Sequence, residues 1–202
     1  MKSEAIAESR SSDAGSAAPQ TGEVQVWRIE LGSDGRREAR AALGRILAAT
    51  LGEAGPPALT EGENGKPRLA VDPGRLSFNL SHSGGLALVA LAPGGIDVGV
   101  DVERIKERRD LARLAARWLP AADALAIAAA PSAERPALFY SAWTRHEARV
   151  KCTGVGLAGQ PPGREVTAFG VPIDDGYAAA LAIRDGSTVP PAPRLVMREW
   201  GR

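Results

Sequence analysis

The chain has 202 residues, 44% of them hydrophobic and 24% charged, proportions that exclude collagen-like, wholly disordered and membrane-embedded classes. Lysine and arginine (25) nearly balance aspartate and glutamate (24) for a formal charge of +1, so no global field points to nucleic acid or a membrane surface as partner. A single cysteine, Cys152, excludes an internal disulfide framework and a multi-cysteine metal site, fits a reducing cytoplasm, and is expected to be a small buried residue after a helix.

Residues 1–22 are acidic and lack an apolar stretch, which predicts a disordered tail rather than a signal peptide. No apolar run approaches the ~20 residues that cross a bilayer. EVQVWRIEL then has strand composition, and Ser33-Asp34 offers cap chemistry for a helix with Leu43, Ile46, Leu47 and Leu51 on one face and Gly52 as its stop. GEAGPPALTEGENGKP is loop chemistry. PRLAV, RLSFNLSH, LALVALA and GIDVGVDVE follow as short strands of an antiparallel meander, punctuated by Ser83-Gly84-Gly85 and Pro93-Gly94-Gly95.

A second cycle starts with RRDLARLAARWL, whose Leu111, Leu114, Ala115 and Trp118 share a helical face. ALFYSAWTRHEARVKC predicts a longer core helix after the Pro131-Ser132 start signal, and EVTAFGV, YAAALAIR and RLVMREW supply three further strands. Two successive cycles of this kind suggest an α+β fold of two similar lobes.

Chemistry concentrates in four short segments. In Ile96–Glu103 the alternation puts Ile96, Val98, Val100 and Val102 on a core face and Asp97, Gly99, Asp101 and Glu103 on an acidic one. Asp101 and Glu103 lie roughly 7 Å apart along that face, so both can lean toward one hard divalent cation, although alternating acids on a strand are usually a solvated face. Glu147 offers a third carboxylate, with Lys151 four residues on; a surface ion pair is the plainer reading. Phe78–Gly84 gathers Ser81, His82 and a glycine turn at a strand end, groups that can hydrogen-bond a phosphate. Adjacent residues on a strand face opposite ways, so Ser81 and His82 make a poor nucleophile and base pair. Gly65-Lys66-Pro67 holds a cation in a rigid turn but lacks the phosphate-loop pattern.

GKP, then FNLSHSG, then GVDVE, then WTRHEARVK followed by TGVGL is similar to the motif series of the 4′-phosphopantetheinyl transferases, and the chain resembles their surfactin-synthetase-activating (Sfp-type) branch from about Arg40 to Leu157. The resemblance implies two α+β lobes related by a pseudo-twofold, each a small antiparallel sheet packed with a long helix. It places the N-terminal lobe at 23–103 and the C-terminal lobe at 104–202. The implied reaction moves the phosphopantetheine arm of coenzyme A to a serine of an apo acyl or peptidyl carrier protein, releases adenosine 3′,5′-bisphosphate and uses magnesium. Asp101, Glu103 and Glu147 match the family's magnesium ligands. Glu147, or a water held by Asp101, matches the base, and Lys151 matches the lysine beside the transferred phosphate. Ser81 and His82 match the contacts to the coenzyme 3′-phosphate, Lys66 and Pro67 the turn beside the adenine, and Arg40 a helical arginine at the same end.

Two departures stand out. His146 occupies the position where the family usually has a lysine, and only Leu31 to Asp34 intervene where many members carry a longer basic and aromatic stretch. The implied protein is a monomeric cytoplasmic enzyme, without nucleic-acid or membrane partners, that touches its carrier through the long helix and the loop from about Thr153 to Gly170. The rivals are a non-catalytic coenzyme A or carrier-protein binding module derived from such an enzyme, and a magnesium-dependent phosphohydrolase.

Overall fold

Strand alternation and a few close backbone approaches build the protein as stacked layers. In chain order its elements are β1 (Glu8–Arg10), β2 (Glu23–Glu30), α1 (Gly35–Leu51), β3 (Leu59–Glu61), β4 (Pro67–Leu69), β5 (Leu76–Ser83), β6 (Leu86–Pro93), β7 (Asp97–Arg104), α2 (Leu111–Trp118), α3 (Ala121–Ala129), α4 (Arg135–Thr153), β8 (Thr167–Gly170), β9 (Tyr177–Arg184) and β10 (Arg194–Trp200). The computed structural model describes residues 8–10, 17–62, 65–154, 165–187 and 191–201.

The strands form a five-stranded sheet in the order β1-β10-β2-β6-β5, a three-stranded sheet in the order β7-β9-β8, and the β3-β4 ribbon. Period-two patterning explains the stacking. In β2 and β6 the residues Trp27, Ile29, Ala87, Val89 and Leu91 pack with α1 through Leu43, Ile46 and Leu47. Their alternates Val24, Val26, Leu88 and Ala90 meet Val98, Val100, Val102, Leu181 and Ile183 of the three-stranded sheet. The outer face of that sheet, with Ala180 and Ala182, is covered by Ala148 and Cys152 of α4. The layers therefore run helix, sheet, sheet, helix, with α1 and α4 on opposite outer sides.

Several sequence expectations change. The meander ends at β6, because β7 leaves it to pair antiparallel with β9 while its other edge lies against β5. The last strand, β10, does not stay with β8 and β9; it pairs in parallel with β2, Val196 opposite Gln25. Pairing thus crosses the 103/104 position in both directions. Glu8–Arg10, in the acidic tail, runs parallel to β10, and Leu59–Glu61, in the expected loop, pairs with Pro67–Leu69. Helix α3 stands where no helix was expected; its Ile127 joins Leu111, Ala115 and Phe139 in a small core of α2, α3 and the first half of α4. The fold is mixed α and β with a larger and a smaller sheet, each faced by one long helix.

Candidate active site

Sequence makes room for the site at Gly99. A Cβ there would collide with the carbonyl oxygen of Ala148 and the amide nitrogen of Cys152, so a glycine in β7 facing an alanine in α4 lets helix and strand approach backbone to backbone. This helix runs to Thr153 and ends on Gly154, whose φ of 71° takes the left-handed conformation favoured after a helix. The acidic face of β7 is consequently covered by α4 and not solvated as a strand face usually is: Asp101 is 3% exposed.

Opposite β7, the last strand of the larger sheet supplies side chains in place of a strand partner. The Val100 amide donates to Asn79 Oδ1 (2.9 Å), the Val102 amide to Ser81 Oγ (3.3 Å) and the Arg104 amide to Ser83 Oγ (3.1 Å). Each serine hydroxyl then donates to the next carboxylate along, Ser81 to Asp101 Oδ1 (2.9 Å) and Ser83 to Glu103 Oε2 (2.7 Å). Asn79, Ser81 and Ser83 thus hold the backbone of β7, and the two serines fix Asp101 and Glu103, at the seam between the two sheets.

Lys151 completes the cluster from α4. Its Nζ donates to Asp101 Oδ1 at 2.6 Å and to Ser81 Oγ at 2.9 Å, leaving one N–H of the ammonium for another acceptor. Among the described residues Asp101 Oδ2 is buried without a hydrogen-bond partner. Burial pushes the Asp101 carboxyl up while Lys151 and Ser81 hold it down. Glu147, one turn before Lys151, is pushed up to about 7, first by burial and then by the charges of Asp101 and Glu103, with Lys151 opposing.

These groups are hard oxygen donors crowded beside one another, with a buried carboxylate oxygen unpartnered, a donor set that fits a divalent cation. As they stand, no three metal-binding side chains among the described residues converge on one point.

Of the other expected residues, Ser81 joins this cluster and the rest lie outside it. Ser81, implied for the coenzyme 3′-phosphate, instead accepts from Lys151 and the Val102 amide and gives its proton to Asp101. Its hydroxyl is fully occupied, while His82 is exposed on the opposite side of β5. The Lys66 ammonium donates to the carbonyls of Val98 (3.0 Å) and Cys152 (2.9 Å). Pro67 lines, with Lys66, Ser77, Phe78 and Asp97, a cavity of about 260 Å³. Arg40 is exposed on α1, the outer layer away from α4. His146 sits on α4 against Trp143, ring centroids 6.1 Å apart, and burial, helped by Arg149, lowers its pKa. Val155, Gly156 and Leu157 of the TGVGL motif and the middle of the expected carrier loop, 155–164, lie outside the described residues.

Asn79 and Ser83 escaped the sequence reading. Their signal was present: polar residues at 79, 81 and 83 repeat every second position, in step with the acids at 97, 101 and 103.

The segment holding Asp101, Glu103, His146, Glu147 and Lys151 is also where the chain is similar to known proteins. Residues 97–188 match the model of the 4′-phosphopantetheinyl transferase superfamily. Similar proteins include the 4′-phosphopantetheinyl transferases psf-1 of Bacillus pumilus (40% identical, 49% of this chain and 40% of the relative) and AcpT of Salmonella typhimurium (40%, 48% of this chain and 50% of the relative). HetI of Nostoc sp. is 36% identical over 41% of this chain and 35% of its own length. The matched stretch spans about half or less of each of these curated relatives.

Proposed function

We propose that the chain is a 4′-phosphopantetheinyl transferase that converts apo carrier proteins to their holo forms. The observation that carries this reading is the joint arrangement of Asp101 and Lys151, held together by Ser81 where β5, β7 and α4 meet. A binding module has no need of a lysine fixed on a buried carboxylate. Psf-1 and AcpT are equally identical to the chain, so the proposal of the surfactin-synthetase-activating branch rests on the motif series alone.

In the proposed reaction the carrier serine oxygen attacks the phosphorus that bears the pantetheine arm. A new P–O bond forms, the bond to the bridging pyrophosphate oxygen breaks, and adenosine 3′,5′-bisphosphate leaves. Glu147, or a water held by Asp101, receives the serine proton. Lys151 turns its remaining N–H toward the phosphates, and Asp101 with Ser81 fixes its direction. Ser83 holds Glu103 in the same way. Magnesium, bound by Asp101, Glu103 and Glu147, would offset the charge that develops on the pyrophosphate. His82, exposed beyond Ser81, takes the 3′-phosphate, with the cavity at Pro67 beside the adenine. We assign Arg40 to the same end and His146 to the phosphates as an uncharged donor.

All of these groups come from one chain, which supports a monomer. No helix among the described residues is long and apolar enough to cross a membrane, and a cytoplasmic site fits coenzyme A as donor. Incubation with coenzyme A, magnesium and a panel of apo carriers tests the reading by mass spectrometry. One phosphopantetheine added to a carrier serine is expected. Binding of coenzyme A without transfer would favour the binding module, and free phosphopantetheine without a modified carrier would favour the phosphohydrolase.

A further inference from the structure

Lys66 is a half-buried cation for which the proposed reaction has no use. Beside it Gly65 takes a φ of 77°, the Gly62 amide donates to the Lys66 carbonyl at 2.8 Å, and Pro67 follows. The side chain runs inward to two carbonyls on different elements, Val98 of β7 and Cys152 of α4. Val98 shares the parity of Val100, Val102 and Arg104, whose amides point to the β5 side of the strand. Lys66 serves the same edge with a donor, just ahead of the series served by Asn79, Ser81 and Ser83. Cys152 is in the last turn of α4, where carbonyls lack an intrahelical amide and a positive charge is favoured by the helix dipole.

The surrounding charges leave the ammonium to these acceptors. Asp97, a carboxylate whose charge reaches it, is held by Arg184 at 2.9 and 2.5 Å, and Arg68 and Arg184 add repulsion. Burial lowers the Lys66 pKa as well. The position of the two carbonyls matters most. Val98 lies three residues before Asp101, and Cys152 directly follows Lys151. One side chain therefore ties together the two backbone segments whose alignment sets the 2.6 Å contact between Lys151 and Asp101.

We propose that Lys66 is a positioning residue that locks the last turn of α4 onto β7 and thereby holds Lys151 on Asp101, rather than a contact for the coenzyme phosphate. Its kinetic readout rests on the proposed transfer reaction; its structural readout does not.

The test uses the full chain and Lys66→Met, which keeps the length and removes the donors. Transfer is measured with coenzyme A and with dephospho-coenzyme A, and amide hydrogen exchange is followed in 148–154 and, as control, in β2 and β6. The expected result is a fall in kcat of about tenfold or more, by the same factor for both coenzymes, from loss of hydrogen bonds to a charged donor. The ratio of the two KM values should not change, and exchange should quicken in 148–154 but not in the control strands. A KM increase confined to coenzyme A, unaltered exchange in 148–154, or faster exchange with unaltered kcat would each overturn the proposal. If the unaltered protein transfers nothing to any carrier, the function reading fails and the exchange comparison alone decides the lock. Should Lys66→Met not fold, Lys66→Leu, which also lacks a donor, replaces it with the same readouts.

Discussion

Lys151 holds only one of the two oxygens of Asp101: Nζ stands 2.6 Å from Oδ1, while Oδ2 is buried and unpartnered among the described residues. One oxygen is engaged by the ammonium, and the other is left for a further partner that the described residues do not supply.

A nearly buried acid with one cation makes the pair asymmetric. Lys151→Met leaves the Asp101 charge without its partner, and breaking such a pair costs about 3–5 kcal/mol, less here because Lys151 is partly exposed. Lys151→Met with Asp101→Asn should recover part of that loss. Urea unfolding of the two single variants and the double variant measures it; strictly additive losses would show that the contact carries no coupling.

Glu147 gives the fold a pH signature. Its folded value of about 7 lies above the ordinary 4.5, so between these values the folded state keeps a proton that the unfolded state releases. The stability this contributes is fully present below about 4.5 and is lost as pH rises through about 7. Glu147→Gln cannot ionise. Without divalent cations, its melting temperature relative to the unaltered protein should therefore climb between pH 5 and pH 8. A difference that stays flat over that range would contradict the burial and charge crowding described for this residue.

Ser83→Ala removes the acceptor for the Arg104 amide and the donor to Glu103. A loss of about 1 kcal/mol in stability is expected, together with a raised magnesium requirement for activity and unchanged discrimination between coenzyme A and its dephospho form. Ser83→Thr keeps the hydroxyl and should restore the magnesium response. An equal defect in both variants would mean that the hydroxyl does not hold Glu103.

Cys152 is 1% exposed, donates to the Asp97 carbonyl at 3.3 Å, and burial pushes its thiol up to about 12. At pH 8 the thiolate is scarce and covered, so iodoacetamide should label native protein far more slowly than urea-unfolded protein. Equal labelling rates would show that the last turn of α4 opens freely.

Local pattern made much of the fold legible. The strand composition of β2 and β6, the alternation of β7 and the helical spacing in α1 and α2 are properties of contiguous residues, and the structure keeps them. What the chain order hid was non-local: β10 returns to β2, and β7 turns away from the meander to β9. Neither choice has a signal in its own segment, because any apolar strand edge satisfies the same backbone groups. The site shows the same division. Asp101, Glu103, Glu147 and Lys151 were visible as residue types at workable spacing. That Ser81 faces Lys151, and that Lys66 reaches two carbonyls, depends on β5 and the 62–67 turn meeting β7 and α4 in space. Gly99 was the one sequence hint of that meeting, a gap in an acidic face that only a closely packed helix would need.

The central claim is that the seam between β5, β7 and α4 performs phosphopantetheine transfer. A single-turnover reaction with coenzyme A, magnesium and an apo carrier tests it most directly, by quantifying holo carrier and adenosine 3′,5′-bisphosphate in the same samples for the unaltered chain and for Lys151→Met. The two products should rise together in one-to-one ratio, and Lys151→Met should slow both by about a hundredfold or more, the scale for removing a fixed transition-state donor. Adenosine bisphosphate formed without holo carrier, or a Lys151→Met rate equal to that of the unaltered chain, would contradict it.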